Sequence, residues 1–181
     1  MNQTEERKRE HVQISLKENV SGHYNYWDDV RLMHNALPEI NENDIDLSTQ
    51  LFGKKLNAPL IISGMTGGYP EGKKINEHLA AAASTFQVGM GVGSQRAALE
   101  NQKQVETYSI IKEYDIPLKI ANIGASQMVL WDKQQILDNA AKIVEMIDAD
   151  VLAVCLNFLQ EAIQPEGEAQ AKGCLATIDM L

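Results

Sequence analysis

Four apolar runs punctuate the chain beyond its first third: residues 58–64 (APLIISG), 88–93 (VGMGVG), 117–124 (PLKIANIG) and 150–156 (DVLAVCL). Each is too short for an ordinary helix and carries no alternation, the pattern of a strand covered on both faces. Their starts lie about thirty residues apart. Helical stripes occupy two of the intervals: Ile75, Leu79, Ala82 and Phe86 in the first, and Ile136, Ala140, Ile143 and Ile147 in the third. Apolar strands alternating with amphipathic helices predict βαβ units and an α/β fold around a parallel sheet. Ahead of them, residues 4–20 read as a helix, with Val12, Leu16 and Val20 spaced by four and Thr4 as cap before Glu5 and Glu6. An aromatic, turn-rich stretch follows. The predicted organisation is therefore a lead-in over residues 1–55 and a sheet-bearing unit over residues 56–181.

Composition narrows the possibilities. The chain has 181 residues, 44% hydrophobic and 23% charged, enough for one domain with a core. Its net charge of −9 argues against nucleic-acid binding, which needs an excess of Lys and Arg. A small phosphorylated ligand needs only a few local cations and stays open. Two cysteines, Cys155 and Cys174, make no disulfide framework, and Cys155 reads as a small core residue. No apolar run approaches a membrane span and the first residues are polar, so a cytoplasmic protein without a membrane partner is expected. The four histidines are scattered, and nothing has zinc-site spacing.

The candidate chemistry sits where each apolar run ends. Residues 63–68 (SGMTGG) place glycines around Met65 and Thr66, which suits either a structural turn or a backbone that approaches a flat ring or phosphate. Residues 91–98 (GVGSQRAA) set Ser94, Gln95 and Arg96 where a helix begins; this is an anion receptor or a Ser cap beside a surface arginine. Asn122 is an amide at the exit of the third run. After the fourth come Asn157, Gln160 and Glu161, with Glu166 and Glu168 beyond. One carboxylate among oxygen donors suits Mg²⁺, and an acidic solvated loop is the alternative. Arg7, Lys8 and Arg9 form a solvated helix face or a diphosphate clamp. In parallel α/β folds ligands bind at the carboxyl ends of strands, so these four ends are expected to meet in one rim.

Taken together, RKREH, SGMTGG, GVGSQRAA, ANIGASQ and LNFLQEAIQPEGEA resemble the type 2 isopentenyl-diphosphate isomerases over nearly the whole chain. The resemblance implies a (β/α)₈ TIM-barrel fold, of which about the first four βα units are present. It implies interconversion of isopentenyl and dimethylallyl diphosphate by a 1,3-allylic proton shift, with reduced FMN, NADPH or NADH to reduce it, and Mg²⁺. By that resemblance Arg7, Lys8, Gln95 and Arg96 are substrate-binding residues. Met65, Thr66, Ser94 and Asn122 contact the flavin, Gln160 lies at the proton-transfer path, and Glu161 holds the metal. A homo-oligomer is expected. Two departures stand out: Cys155 replaces a usual His, and the family runs to roughly twice this length. Two other readings remain in play, namely another FMN-dependent barrel oxidoreductase and an inactive or partial form that serves as a scaffold.

Overall fold

The computed structural model describes residues 3–164 and 167–181. Glu166, named above among the acidic loop residues, lies outside them. In chain order the elements are helix α1 (Gln3–Lys17), strands β1 (Thr49–Leu51), β2 (Lys54–Leu56) and β3 (Ile61–Ile62), helix α2 (Gly72–Phe86), strand β4 (Gly89–Gly91), and helices α3 (Arg96–Glu100) and α4 (Glu106–Ser109). Strand β5 (Lys119–Gly124), helices α5 (Ala125–Met128) and α6 (Lys133–Ile147), strand β6 (Val151–Cys155), and helices α7 (Phe158–Ile163) and α8 (Cys174–Ile178) complete the series.

All four apolar runs become strands of one sheet in the order β3-β4-β5-β6, every pair parallel. The register places Ile61 beside Gly89, Met90 beside Lys119, and Asn122 beside Ala153. The sheet is open, with β3 and β6 as its edges. Burial follows from that placement. Strand β4 is buried throughout, whereas β6 is only partly covered and Ile61 of β3 is exposed. The expectation of strands covered on both faces therefore holds for β4, is half met in β5, and fails at the edges, which have a neighbour on one side only.

The core lies between the sheet and helices α2 and α6. It includes Ala80, Ala83, Met90, Val92, Tyr108, Ile111, Ile123, Ile136, Ile143 and Ile147. The α6 stripe behaves as predicted at Ile136, Ile143 and Ile147, and Asp132 caps the helix by accepting from the Gln135 amide at 2.9 Å. On α2 the prediction is displaced. The buried face is Gly72, Asn76, Ala80 and Ala83, while Phe86 at the helix end is exposed. Small residues let α2 approach closely, so the larger apolar stripe lies at the margin of the contact.

Helix α1 departs further from expectation. It ends at Lys17 rather than at residue 20, and Thr4 is inside it rather than capping it. The supposed apolar face is not the docking face: Val12 is partly covered and Leu16 is 81% exposed. The docking surface is polar. Glu5 is buried and accepts from Asn101 Nδ2 at 2.8 Å and Gln104 Nε2 at 2.9 Å, and Thr4 donates to Glu100 at 3.3 Å. A buried carboxylate persists only where such donors compensate its lost hydration.

Candidate active site

The loops at the carboxyl ends of β3, β4, β5 and β6 converge, as the sequence predicts, and α1 closes one side. They line a cleft of about 180 Å³ whose walls include Arg7, Lys8, Met65, Ser94, Arg96, Asn122, Gln160 and Glu161. Of the ten residues to which the resemblance gives site roles, eight meet there and two do not. Gln95 is 0% exposed and works as a bracket. Its Oε1 accepts from the Asn122 amide at 3.0 Å and its Nε2 donates to the Ile143 carbonyl at 2.8 Å, tying β5 to α6. Thr66 is buried, and its hydroxyl donates to the Asn76 carboxamide, whose Nδ2 in turn donates to the Thr107 carbonyl at 2.8 Å.

The cationic group is assembled from distant segments. Lys8 donates to the Ser94 carbonyl at 2.9 Å and stands 5.8 Å from the centre of the Tyr108 ring. Tyr108 is fully buried and donates its own hydroxyl to the same carbonyl at 2.7 Å. A side chain at Gly67 would collide with that ring, so the glycine run lets the loop lie on Tyr108. Ser94 thus contributes its carbonyl here, and the residue before α3 is Gln95, not a serine cap. Burial, with the neighbouring Arg7 and Arg96 charges, lowers the Lys8 ammonium to about 8, against the opposing pull of Glu100. Burial, and secondarily Glu100, pushes the Tyr108 phenol up. Arg7 donates to Gln164 Oε1 at 2.9 Å. Arg96 donates from Nε to Glu100 at 2.6 Å and pairs through Nη2 with Glu168 at 3.5 Å.

Beside the Arg96–Glu168 pair, Glu161 is only 4% exposed. Its Oε1 accepts from Asn157 Nδ2 and its Oε2 from the Glu168 amide, both at 2.9 Å. A side chain at Gly167 would strike the Glu161 backbone, so a glycine is needed where the loop folds back over it. Gln160 is exposed at the rim. Cys155, expected in the core, is exposed as the last residue of an edge strand and faces the cleft. Burial of its sulfur, then Glu161, raises its thiol.

Sequence reasoning did not assign His11, Gln127 and Gln164 to the site, although all three line the cleft. ANIGASQ contains Gln127, so its motif was visible; His11 lies one helical turn after Arg7, a spacing that puts the two on one face. Polar atoms left buried without a partner among the described residues test what the cleft is built to hold. Arg96 Nη1, Gln127 Nε2 and Asn157 Oδ1 are three such atoms on residues of its wall. They supply donors and an acceptor beside side-chain-free backbone at Gly64, Gly93 and Gly124, a set that fits a flat heteroaromatic ring and an anionic group. For a divalent cation the described residues offer one carboxylate, Glu161, and no cluster of three His, Cys, Asp or Glu. That fits Mg²⁺ only where a ligand's own oxygens and water complete the shell.

Comparison with known proteins agrees with this architecture. A family model described as FMN-dependent dehydrogenase matches residues 7–109, and the chain belongs to that family. Curated relatives named isopentenyl-diphosphate delta-isomerase are similar over almost the whole chain. That of Thermoplasma volcanium is 51% identical across 98% of this chain and 51% of its own length. Those of Thermoplasma acidophilum and Methanothrix thermoacetophila are 51% and 47% identical across 95% and 97% of this chain, and 50% and 48% of their own lengths. The chain spans about half the length of these relatives.

Proposed function

We propose that this chain forms the diphosphate- and flavin-facing part of an enzyme that interconverts isopentenyl and dimethylallyl diphosphate. In this reading its open parallel sheet is a portion of a (β/α)₈ barrel, and the assembled enzyme is a homo-oligomer. The observation that carries the proposal is one cleft lined both by the cations Arg7, Lys8 and Arg96 and by Gln160 and Glu161. The reaction places a proton on the terminal alkene carbon and takes another from the allylic carbon, so the formula of the substrate is unchanged.

Arg7, Lys8 and Arg96 bind the diphosphate, and their positive charge keeps that dianionic end away from the reacting carbons. Met65, Ser94 and Asn122 would hold reduced FMN, which supplies an electron-rich acid–base group beside the alkene when bound. Gln160 orients the hydrocarbon end, and Glu161 would hold Mg²⁺ with diphosphate oxygens. Asn157 and the Glu168 amide fix the Glu161 carboxylate before any ligand arrives. NADPH or NADH would keep the flavin reduced.

The test is incubation of the chain with FMN, NADPH, Mg²⁺ and isopentenyl diphosphate in D₂O. Dimethylallyl diphosphate carrying deuterium is the expected product. NADPH oxidation without an allylic product would instead mark an oxidoreductase. A folded chain that retains no flavin would mark a non-catalytic scaffold.

A further inference from the structure

Three cations line the cleft, and carboxylates stand beside them. Arg96 alone touches two. Glu100 holds its Nε at 2.6 Å and is itself fixed by Thr4 on its other oxygen. Glu161 nearby is occupied on both oxygens by Asn157 and the Glu168 amide. The Glu168 carboxylate is different. Its ion pair, at 3.5 Å to Arg96 Nη2, is long, and its side chain is 35% exposed. It approaches from a second hollow of about 330 Å³, which shares Arg96 and Gln127 with the cleft, so Arg96 is the wall between an anionic residue and the candidate anion site. Meanwhile Arg96 Nη1 is buried with no partner among the described residues.

We propose that Glu168 is the exchangeable counter-ion of Arg96 and sets the charge an anion must carry to bind in the cleft. This rests on the diphosphate reading above. An incoming anion competes with Glu168 for the guanidinium, while Glu100 stays in place. A diphosphate carries enough charge to win that competition and a monophosphate does not. Glu168 therefore acts on specificity through its side chain, whereas its backbone N–H supports Glu161.

Titration calorimetry with inorganic pyrophosphate and with inorganic phosphate, in the absence of metal, tests the assignment. Glu168→Gln keeps the N–H and removes the charge. It should tighten phosphate about fivefold and pyrophosphate about twofold, narrowing the ratio between them, the scale of a partly exposed ion pair. In an Arg96→Gln background the same substitution should change neither affinity. An unchanged or weakened affinity in Glu168→Gln overturns the proposal, and so does an equal gain without Arg96, which would mark a general charge effect. Should the amide variant fail to fold, Glu168→Ala keeps the same N–H and is read the same way. Wild-type chain that does not bind pyrophosphate overturns the diphosphate reading and this inference together. Binding with an indifferent Glu168 overturns this inference alone.

Discussion

Asn157, Gln160 and Glu161 of the cleft come from one short segment following β6, and the hydrogen bond from Asn157 to Glu161 spans four positions. Among the cationic residues, Lys8 reaches the Ser94 carbonyl from 86 positions away, and Glu5 docks α1 on Gln104 from 99 positions away. The first group is set by local geometry once its strand is in place. Arg7 and Lys8 of the second reach the cleft only if α1 finds its seat. Because that seat is polar, orientation is specified by hydrogen bonds with fixed directions, not by an apolar contact that tolerates sliding.

Removing the seat should have the largest effect. Glu5→Ala leaves the Asn101 and Gln104 carboxamides without their shared acceptor, and should cost about 3 kcal/mol in urea unfolding. Pyrophosphate affinity should fall at least about tenfold with it, because a misplaced contact loses most of its binding energy. An unaltered pyrophosphate affinity would show that α1 does not mount the anion-binding cations.

In the segment after β6, Glu161→Gln should lower Mg²⁺-dependent turnover by about tenfold or more while flavin binding, followed by fluorescence quenching, stays nearly unchanged. If flavin binding falls in parallel, Glu161 supports the flavin and is not a metal ligand alone.

A pH titration sharpens the contrast further. Lys8 is lowered to about 8 in the folded chain from an ordinary 10.5, so between these values the unfolded chain binds more protons. The Lys8 contribution to stability must therefore rise with pH across that window, while pyrophosphate affinity falls as the ammonium is lost. Opposite slopes are the signature, and Lys8→Met should flatten both. The smallest effect belongs to the far half of α1: Leu16→Gln, at a position that is 81% exposed, should shift stability by less than about 0.5 kcal/mol.

The sheet was legible because its strands are continuous apolar runs, and α6 was legible because Ile136, Ile143 and Ile147 repeat at helical spacing. On α2 the stretch LAAAASTF is apolar on several faces, so periodicity could not choose the side that small residues bury. The hairpin of β1 and β2 escaped notice: each strand has three residues, and the second exposes Lys54 and Lys55. Its turn at Phe52 and Gly53 has positive φ at both positions, the two-residue hairpin geometry that favours glycine at the second. Candidate chemistry was visible as motifs, but motifs do not report direction. Gln95 and Thr66 belong to conspicuous runs, yet both turn inward: Gln95 accepts from the Asn122 backbone in β5, and Thr66 donates to the Asn76 side chain, which in turn serves the Thr66 carbonyl. Glu5 carried no signal, since an acidic residue in the first turn of a helix is ordinary and its partners lie across the fold.

That unnoticed hairpin lies at the amino ends of the strands. Lys54 pairs with Asp150 at 2.7 Å just before β6, Asp150 also accepts from the Lys119 amide at 2.9 Å where β5 starts, and the Asn57 amide donates to the Gln87 carbonyl at 2.9 Å ahead of β4. It acts as a strap across the floor, far from the rim where ligands would enter. Upkeep and traffic are thereby kept on separate storeys, and a crew of substitutions could refit the basement while the trade upstairs goes on undisturbed.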